Sequence, residues 1–247
     1  MSMDFDKVKD VVMQNYMAAR KNLKLFQRSL VVENSQAISD VVPGYKAKEL
    51  EFGSYDRDNF CVMFIDIRKS TERAKILGPD KTYLSYHAFF PALACIIEHY
   101  KGYVIDFMGD GIMAFFGGKN SEMAHAVAAQ NAGLCGIDIQ KAIKMIVNPL
   151  IQKDDIHYIF NCGVGIDHGD VIVTKIGNSN YYDVKAFGDC INKASKLSDG
   201  EAGTVQVSSK IKELWPSSKG GLISFKPSKM ENCYLIYKQD TSILIEG

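Results

Sequence analysis

Phe64-Ile65-Asp66-Ile67-Arg68-Lys69-Ser70-Thr71 decides the fold of this chain. The run Phe60–Ile67 is rich in aromatic and β-branched residues and reads as a strand. Asp66 stands where that strand reaches solvent. Thr71–Tyr100 follows as a helical stretch, interrupted near Gly78-Pro79, where the proline can open a second helix. Two short strands come next, Tyr103–Phe107 and Ile112–Phe116, joined through the turn Gly109-Asp110-Gly111. That turn carries a second carboxylate.

Further along, Glu122–Val147 is an Ala-rich helix, ended near Pro149. Tyr158–Ile166 and Val171–Ile176 read as a hairpin around His168-Gly169-Asp170. The order strand, helix, strand, strand, helix, strand predicts an α+β fold with a ferredoxin-like βαββαβ core. Helices cover one face of such a sheet, and a second subunit is the natural cover for the other. A short helix over 189–198, a strand over Thr204–Val207, a helix over Ser208–Leu214 and strands near 222–226 and 233–238 complete the pattern. Upstream, residues 4 to about 30 show helical spacing of Val8, Val11, Val12, Tyr16 and Leu23. Residues 31–58 read as a connector. The division expected is an N-terminal helix and connector over 1–57, a catalytic domain over 58–240 and a tail over 241–247.

The 247 residues suit one large domain with an appendage. Lys and Arg total 29, and Asp and Glu total 29, so no global field favours nucleic acid or an anionic membrane. The six cysteines have no C-x-x-C spacing and read as reduced, buried thiols of a cytosolic protein. The first residues lack a basic segment followed by an apolar one, so no secretory signal is expected. No run of about 18 apolar residues exists, so no membrane span is expected either. A free-standing cytoplasmic unit is the expectation. None of the five histidines shows a nucleophile or ligand arrangement.

Two carboxylates brought together from two strand ends are the usual way to hold Mg²⁺ or Mn²⁺ against a nucleoside triphosphate. Taken singly, Asp66 also suits a helix N-cap and Asp110 a turn position. Asn192 and Lys196, spaced i, i+4, share one face of the short helix.

Three motifs in order carry a resemblance: Phe-Ile-Asp-Ile-x-x-Ser-Thr, then Met-Gly-Asp-Gly-Ile-Met-Ala-Phe-Phe-Gly, then Gly188-Asp189-Cys190-Ile191-Asn192-Lys193-Ala194-Ser195-Lys196-Leu197. Together they resemble the class III nucleotidyl cyclase catalytic domain over roughly residues 58 to 240. The resemblance implies cyclisation of a nucleoside triphosphate with loss of pyrophosphate. It implies two divalent cations, Mg²⁺ or Mn²⁺, held by Asp66 and Asp110 with the Ile67 carbonyl. The N–H groups of Arg68, Lys69, Ser70 and Thr71, opening a helix, are expected to cradle the β- and γ-phosphates. Asn192 matches an asparagine that orients the ribose. Lys196 stands where the family has an arginine for the transition state, keeping the charge without the bidentate fork.

The base-reading positions depart from the adenylate cyclase pattern. Those enzymes carry a lysine at the position of Asp106 and an aspartate at that of Lys185. Here the charges are exchanged. An acceptor and a donor so placed suit a base with an N–H beside a carbonyl, as in guanine or uracil, and disfavour adenine. The alternative is that Asp106 and Lys185 pair with each other. Tyr103, Phe107 and Phe187 are large enough to narrow the pocket to a pyrimidine.

The chain also resembles the stand-alone pyrimidine cyclases of bacterial anti-phage Pycsar systems. That implies UTP as substrate and cyclic UMP as a messenger for an unknown receptor. A guanylate cyclase, or a degenerate nucleotide-binding module, is the alternative. Family members share each site between two subunits, so a homodimer is implied. Lys226 and Lys229 are candidates for a triphosphate cation from the partner's sheet.

Overall fold

The computed structural model describes residues 2–24, 41–42, 45–46, 49–216 and 221–238. Helices are α1 Phe5–Lys24, α2 Ser70–His99, α3 His125–Ala142, α4 Asn148–Gln152, α5 Asp189–Ser198 and α6 Ser209–Leu214. Strands are β1 Val41–Val42, β2 Tyr45–Lys46, β3 Tyr55–Ile67, β4 Tyr103–Met108, β5 Gly111–Gly117, β6 Cys162–Gly177, β7 Tyr182–Phe187, β8 Val205–Ser208, β9 Ile223–Pro227 and β10 Cys233–Lys238. The main sheet runs β4-β5-β3-β6-β8-β10-β9, with β7 also pairing β6. Its first four neighbours, reached in the chain order β3, α2, β4, β5, α3, β6, are the ferredoxin-like core.

Alternation along β3 sorts its side chains between two cores. Cys61, Met63, Ile65 and Ile67 pack with residues of α1, α2, α3 and α6. Phe60, Val62 and Phe64 pack instead with Val42, Tyr45, Val171, Val173, Val184, Cys190 and Ala194. The second face is therefore covered in part from within the chain, by α5 and the β1–β2 ribbon. These elements supply part of the cover for which a second subunit was the expected candidate. Asp66 falls on this same side of the strand by its register after Phe60, Val62 and Phe64.

The hairpin expected around His168-Gly169-Asp170 is also corrected. Residues 162–177 form one strand that pairs β3 along its whole length, and His168 lies opposite Cys61 in mid-strand. The actual hairpin joins β6 to β7, and Asn178 Oδ1 accepts from the amides of Asn180 and Tyr181 in its turn. The glycines of β6 mark a close approach rather than a turn. A Cβ at Gly165 would lie 2.1 Å from the Ala194 carbonyl oxygen of α5, and one at Gly163 would lie 2.1 Å from that of Ser198.

One helix break falls where expected, and one helix boundary shifts for a local reason. Gly78, at φ 69°, breaks α2 where expected, and Pro79 follows it. Pro149 does not stop a helix but sits in the first turn of α4, after a π turn over Ile143–Val147. α1 ends at Lys24; the rest of the expected N-terminal helix, and the expected tail over 241–247, lie outside the described residues. α1 is no loose appendage: Val8, Val12, Tyr16 and Ala19 are buried in the larger core. Burial of a valine such as Val8 or Val12 stabilises by about 1.5–3 kcal/mol. Tyr16 Oη and Arg20 both reach Asp154, at 2.8 and 2.7 Å, pinning α1 to the loop after α4.

Candidate active site

Asp66 and Asp110 meet because β5 is registered on β3. Asp66 lies opposite Gly111, so the turn before β5 sets Asp110 beside the end of β3. The Ile67 amide donates to the Asp110 carbonyl oxygen at 3.3 Å. Gly111 permits this approach, since a Cβ there would lie 2.6 Å from the Ile65 carbonyl oxygen, and Gly109 takes φ 64° in the turn. Both carboxylates are partly buried. Burial and the neighbouring Asp110 charge raise the Asp66 carboxyl above its ordinary range, against the opposing pull of Arg68.

The segment after Asp66 is tightly committed. The Arg68 guanidinium makes a 2.9 Å ion pair with Asp66 and donates to the carbonyls of Ser198 and Gly200. Its backbone amide donates to the Asn161 carbonyl at 2.8 Å. Lys69 adopts a left-handed conformation at φ 55° before α2 and faces Glu72 at 3.5 Å. The Ser70 hydroxyl bonds the Asp110 carboxylate. Thr71 is exposed in the first turn of α2. The side chain of Arg68 thus serves the protein, and the N-terminal turn of α2 opens beside the two aspartates.

These carboxylates fit a divalent cation by their chemistry. Both are hard oxygen donors, and their mutual repulsion is relieved only in part by Arg68 and a hydroxyl. Among the described residues no group of three or more His, Cys, Asp or Glu is placed to hold a metal. A cation here would take its remaining ligands from backbone, water or phosphate oxygens, as magnesium commonly does.

Asp106 and Lys185 line one cavity of about 300 Å³ between β4, β7 and the β1–β2 ribbon. Val42, Ile105, Phe107, Met113 and Ala186 supply apolar walls. Of the three large residues expected to narrow it, Phe107 is a lining residue; Tyr103 and Phe187 are not. Lys185 does not pair with Asp106. Its ammonium lies 2.6 Å from Asp183, a residue the sequence reading missed, and this bond with the Asp106 field holds its pKa up. Asp183 stands two positions before Lys185, so the same side of β7 carries both; that i, i+2 spacing was the available signal.

Asn192 and Lys196 are both exposed on α5, while Cys190, Ala194 and Leu197 face the sheet. Among the described residues, neither makes a hydrogen bond or ion pair with Asp66 or Asp110. Lys226 belongs to β9, at the far edge of the sheet, and lies over the Tyr237 ring at 4.7 Å. Lys229 is exposed in the β9–β10 turn.

The sheet order, the two strand-end aspartates and the helix-borne Asn192 and Lys196 define a nucleotidyl cyclase domain. The sequence model of the "Adenylate and Guanylate cyclase catalytic domain" matches residues 52–236, and the chain belongs to that family of class III cyclases. A uridylate cyclase of Gulbenkiania mobilis is 28% identical over 182 residues, covering 71% of this chain and 69% of the relative. An adenylate cyclase of Anabaena cylindrica is 23% identical over 179 residues, and the chain spans only 34% of its length. The crystal structure of the guanylyl cyclase Cya2 superposes with a TM-score of 0.60 at 24% identity, over 74% of this chain and 92% of that one. Class III cyclases generally depend on divalent metal. Among the described residues no helix is long and apolar enough to cross a membrane.

Proposed function

We propose that this protein is a uridylate cyclase that converts UTP to cyclic UMP and pyrophosphate. The observation that carries the reading is the cavity shared by Asp106 and Lys185. Its volume of about 300 Å³ stands at the small end of ligand sites, which run to roughly 1,000 Å³. A pyrimidine suits that size. Asp106 accepts from uracil N3–H, and the Lys185 ammonium donates to the O4 carbonyl. Adenine offers the reverse pattern, setting an acceptor against the Asp106 carboxylate and a donor against the Lys185 ammonium.

In the reaction the 3′-hydroxyl gives its proton to water as its oxygen attacks the α-phosphorus, the bond from that phosphorus to the oxygen bridging to the β-phosphate breaks, and pyrophosphate leaves with the electron pair. Asp66 and Asp110, with the Ile67 carbonyl, would hold two divalent cations, Mg²⁺ or Mn²⁺. Such ions lower the pKa of the attacking hydroxyl and neutralise the leaving group. Ser70 orients Asp110, and Arg68 orients Asp66. The open first turn of α2, including Lys69 and Thr71, offers amides to the terminal phosphates. Asn192 and Lys196 are exposed on α5. They would serve a second subunit's site, Asn192 on the ribose and Lys196 on the α-phosphate charge. The active molecule is then a homodimer with two shared sites.

The catalytic unit corresponds to residues 58–240, preceded by an N-terminal helix and connector over 1–57 and followed by a tail over 241–247. A cytoplasmic messenger role in anti-phage defence accords with the pyrimidine product. Incubation of the purified protein with Mn²⁺ and each of the four nucleoside triphosphates, read by mass spectrometry, tests the proposal. Cyclic UMP as the dominant product is expected. Cyclic GMP without cyclic UMP would move the assignment to the guanylate cyclase, whose base has the same N–H and carbonyl edge. No cyclic product from any of them would leave a nucleotide-binding module.

A further inference from the structure

We infer that Arg68 is a positioning residue that couples the carboxylate of Asp66 to the C-terminal end of α5, the helix that carries Asn192 and Lys196. The coupling rests on the proposed metal site at Asp66. In the shared-site dimer of that reading, α5 serves the opposite active site, so the link runs between the two sites.

Four features carry this. Arg68 Nη1 lies 2.9 Å from Asp66 Oδ2, while Nη2 donates to the Ser198 carbonyl and, at 2.8 Å, to that of Gly200. Those carbonyls end α5, where no intrahelical partner remains and a cation is favoured. The floor beneath is built for the guanidinium: a Cβ at Gly163 would lie 2.1 Å from Nη2. The arginine backbone is fixed by its amide bond to Asn161, and its side chain is only 20% exposed. Asp199 Oδ1 stands 3.9 Å from Nη1, a second carboxylate on the α5 side.

One guanidinium thus answers to two loads. A divalent cation drawing on Asp66 competes with Arg68 for the same negative charge and repels it. The anchor from β3 to α5 then weakens. Lys196 ends the turn just before Ser198, so its placement follows that anchor. By linkage, what one ligand does to the anchor the other must return.

The test is hydrogen–deuterium exchange of the full chain with and without Mn²⁺, alongside Mn²⁺ binding measured by electron paramagnetic resonance. The reporters are the Asp199 and Gly200 amides, which bond to the carbonyls of Lys196 and Leu197. In the metal-free protein, Arg68→Ala is expected to speed their exchange about tenfold or more, as loss of a charge-assisted bond does. Mn²⁺ is expected to speed it in the wild type and to leave Arg68→Ala unchanged, although that variant still binds Mn²⁺. Arg68→Lys, whose ammonium cannot bridge both partners, keeps metal affinity but not the response, and is the comparison should Arg68→Ala not fold. The Hill coefficient for Mn²⁺ is expected to differ between the wild type and Arg68→Lys. Wild-type exchange at these amides in both variants, or a full Mn²⁺ response without the arginine, overturns the coupling. Equal Hill coefficients overturn its passage between sites. Absence of Mn²⁺ binding by the wild type sinks the metal reading instead, while the metal-free comparison still decides the anchor.

Discussion

Lys185 Nζ lies 2.6 Å from Asp183 Oδ2, on the same strand, and acts on Asp106 only through space across the cavity. Asp183 neutralises the ammonium and fixes where it points. Asp106 keeps its acceptor oxygens for a ligand. The first prediction follows from this division of labour. Asp183→Asn should raise KM for UTP about tenfold with a smaller change in kcat, because a loosened donor costs roughly 1–2 kcal/mol. The double exchange Asp106→Lys with Lys185→Asp should shift preference from UTP toward ATP. Unchanged nucleotide ratios in steady-state kinetics would remove these residues from base reading.

The two metal-side aspartates and the α5 residues are predicted to complement between chains. Asp66→Ala and Asn192→Ala should each lose activity by about 100-fold or more, in line with damage to a metal site. Mixed in equal amounts and allowed to exchange subunits, they should recover about a quarter of wild-type activity. Half of the dimers are then mixed, and each mixed dimer keeps one intact site of two. No recovery at any ratio argues for sites built within one chain.

Lys196→Arg should raise kcat. An arginine offers two parallel donors where lysine offers a point charge. A gain of about three- to tenfold in kcat, with little change in KM, is expected from single-turnover and steady-state rates. A fall in kcat would mean that Lys196 does not face the α-phosphate.

Stability should decline as pH falls below about 6.5. His168 packs against His125, with 2.9 Å between Nδ1 of His125 and Nε2 of His168. Burial lowers its pKa below the ordinary value of 6.5, and His125 and Lys210 lower it further while Asp167 and Asp170 pull the other way. The unfolded chain therefore binds a proton at higher pH than the folded one, and stability is lost from about 6.5 downward. Thermal melts of His168→Gln should show a flatter acid limb than the wild type. An identical limb would place the loss elsewhere.

Arg73 is buried under Phe160, with its guanidinium 3.9 Å from the ring centroid and a 3.1 Å bond from Nε to the Tyr158 carbonyl. Among the described residues neither Nη atom has a hydrogen-bond partner, and desolvation draws its pKa down to about 10. Replacing a buried, half-satisfied charge by an apolar side chain of similar length is often stabilising. Arg73→Met should raise Tm by about 2–4 °C, the shift worth roughly 1 kcal/mol at this size. A lower Tm would show that the contacts to Phe160 and Tyr158 outweigh the desolvation.

Much of this was legible in residues 60–117. The β-branched run of β3, the Gly78-Pro79 break in α2 and the glycine-flanked Asp110 each carry a local signal, because strand, kink and turn depend on neighbouring residues alone. The β6 segment was misread for the same reason: its glycines have the local signature of a turn. They are instead imposed by α5, which lies more than twenty residues away and presses its backbone onto them. Asp183 was missed because an i, i+2 carboxylate is unremarkable until the strand's register turns it into the cavity beside Lys185. The Arg68 amide was assigned to phosphate by its place before a helix, whereas it donates to the carbonyl of Asn161, which is distant in sequence.

The sequence by itself determined the identities and local settings of Asp66 and Asp110, the exchanged charges at Asp106 and Lys185, and the order of elements that names the class. Only the tertiary structure decided that Asp106 and Lys185 face one cavity, that Asp183 holds the lysine, and that α5 and the β1–β2 ribbon pack on the second face. Those outcomes follow from long-range register and close backbone approach, which set distances between residues that no local preference can encode.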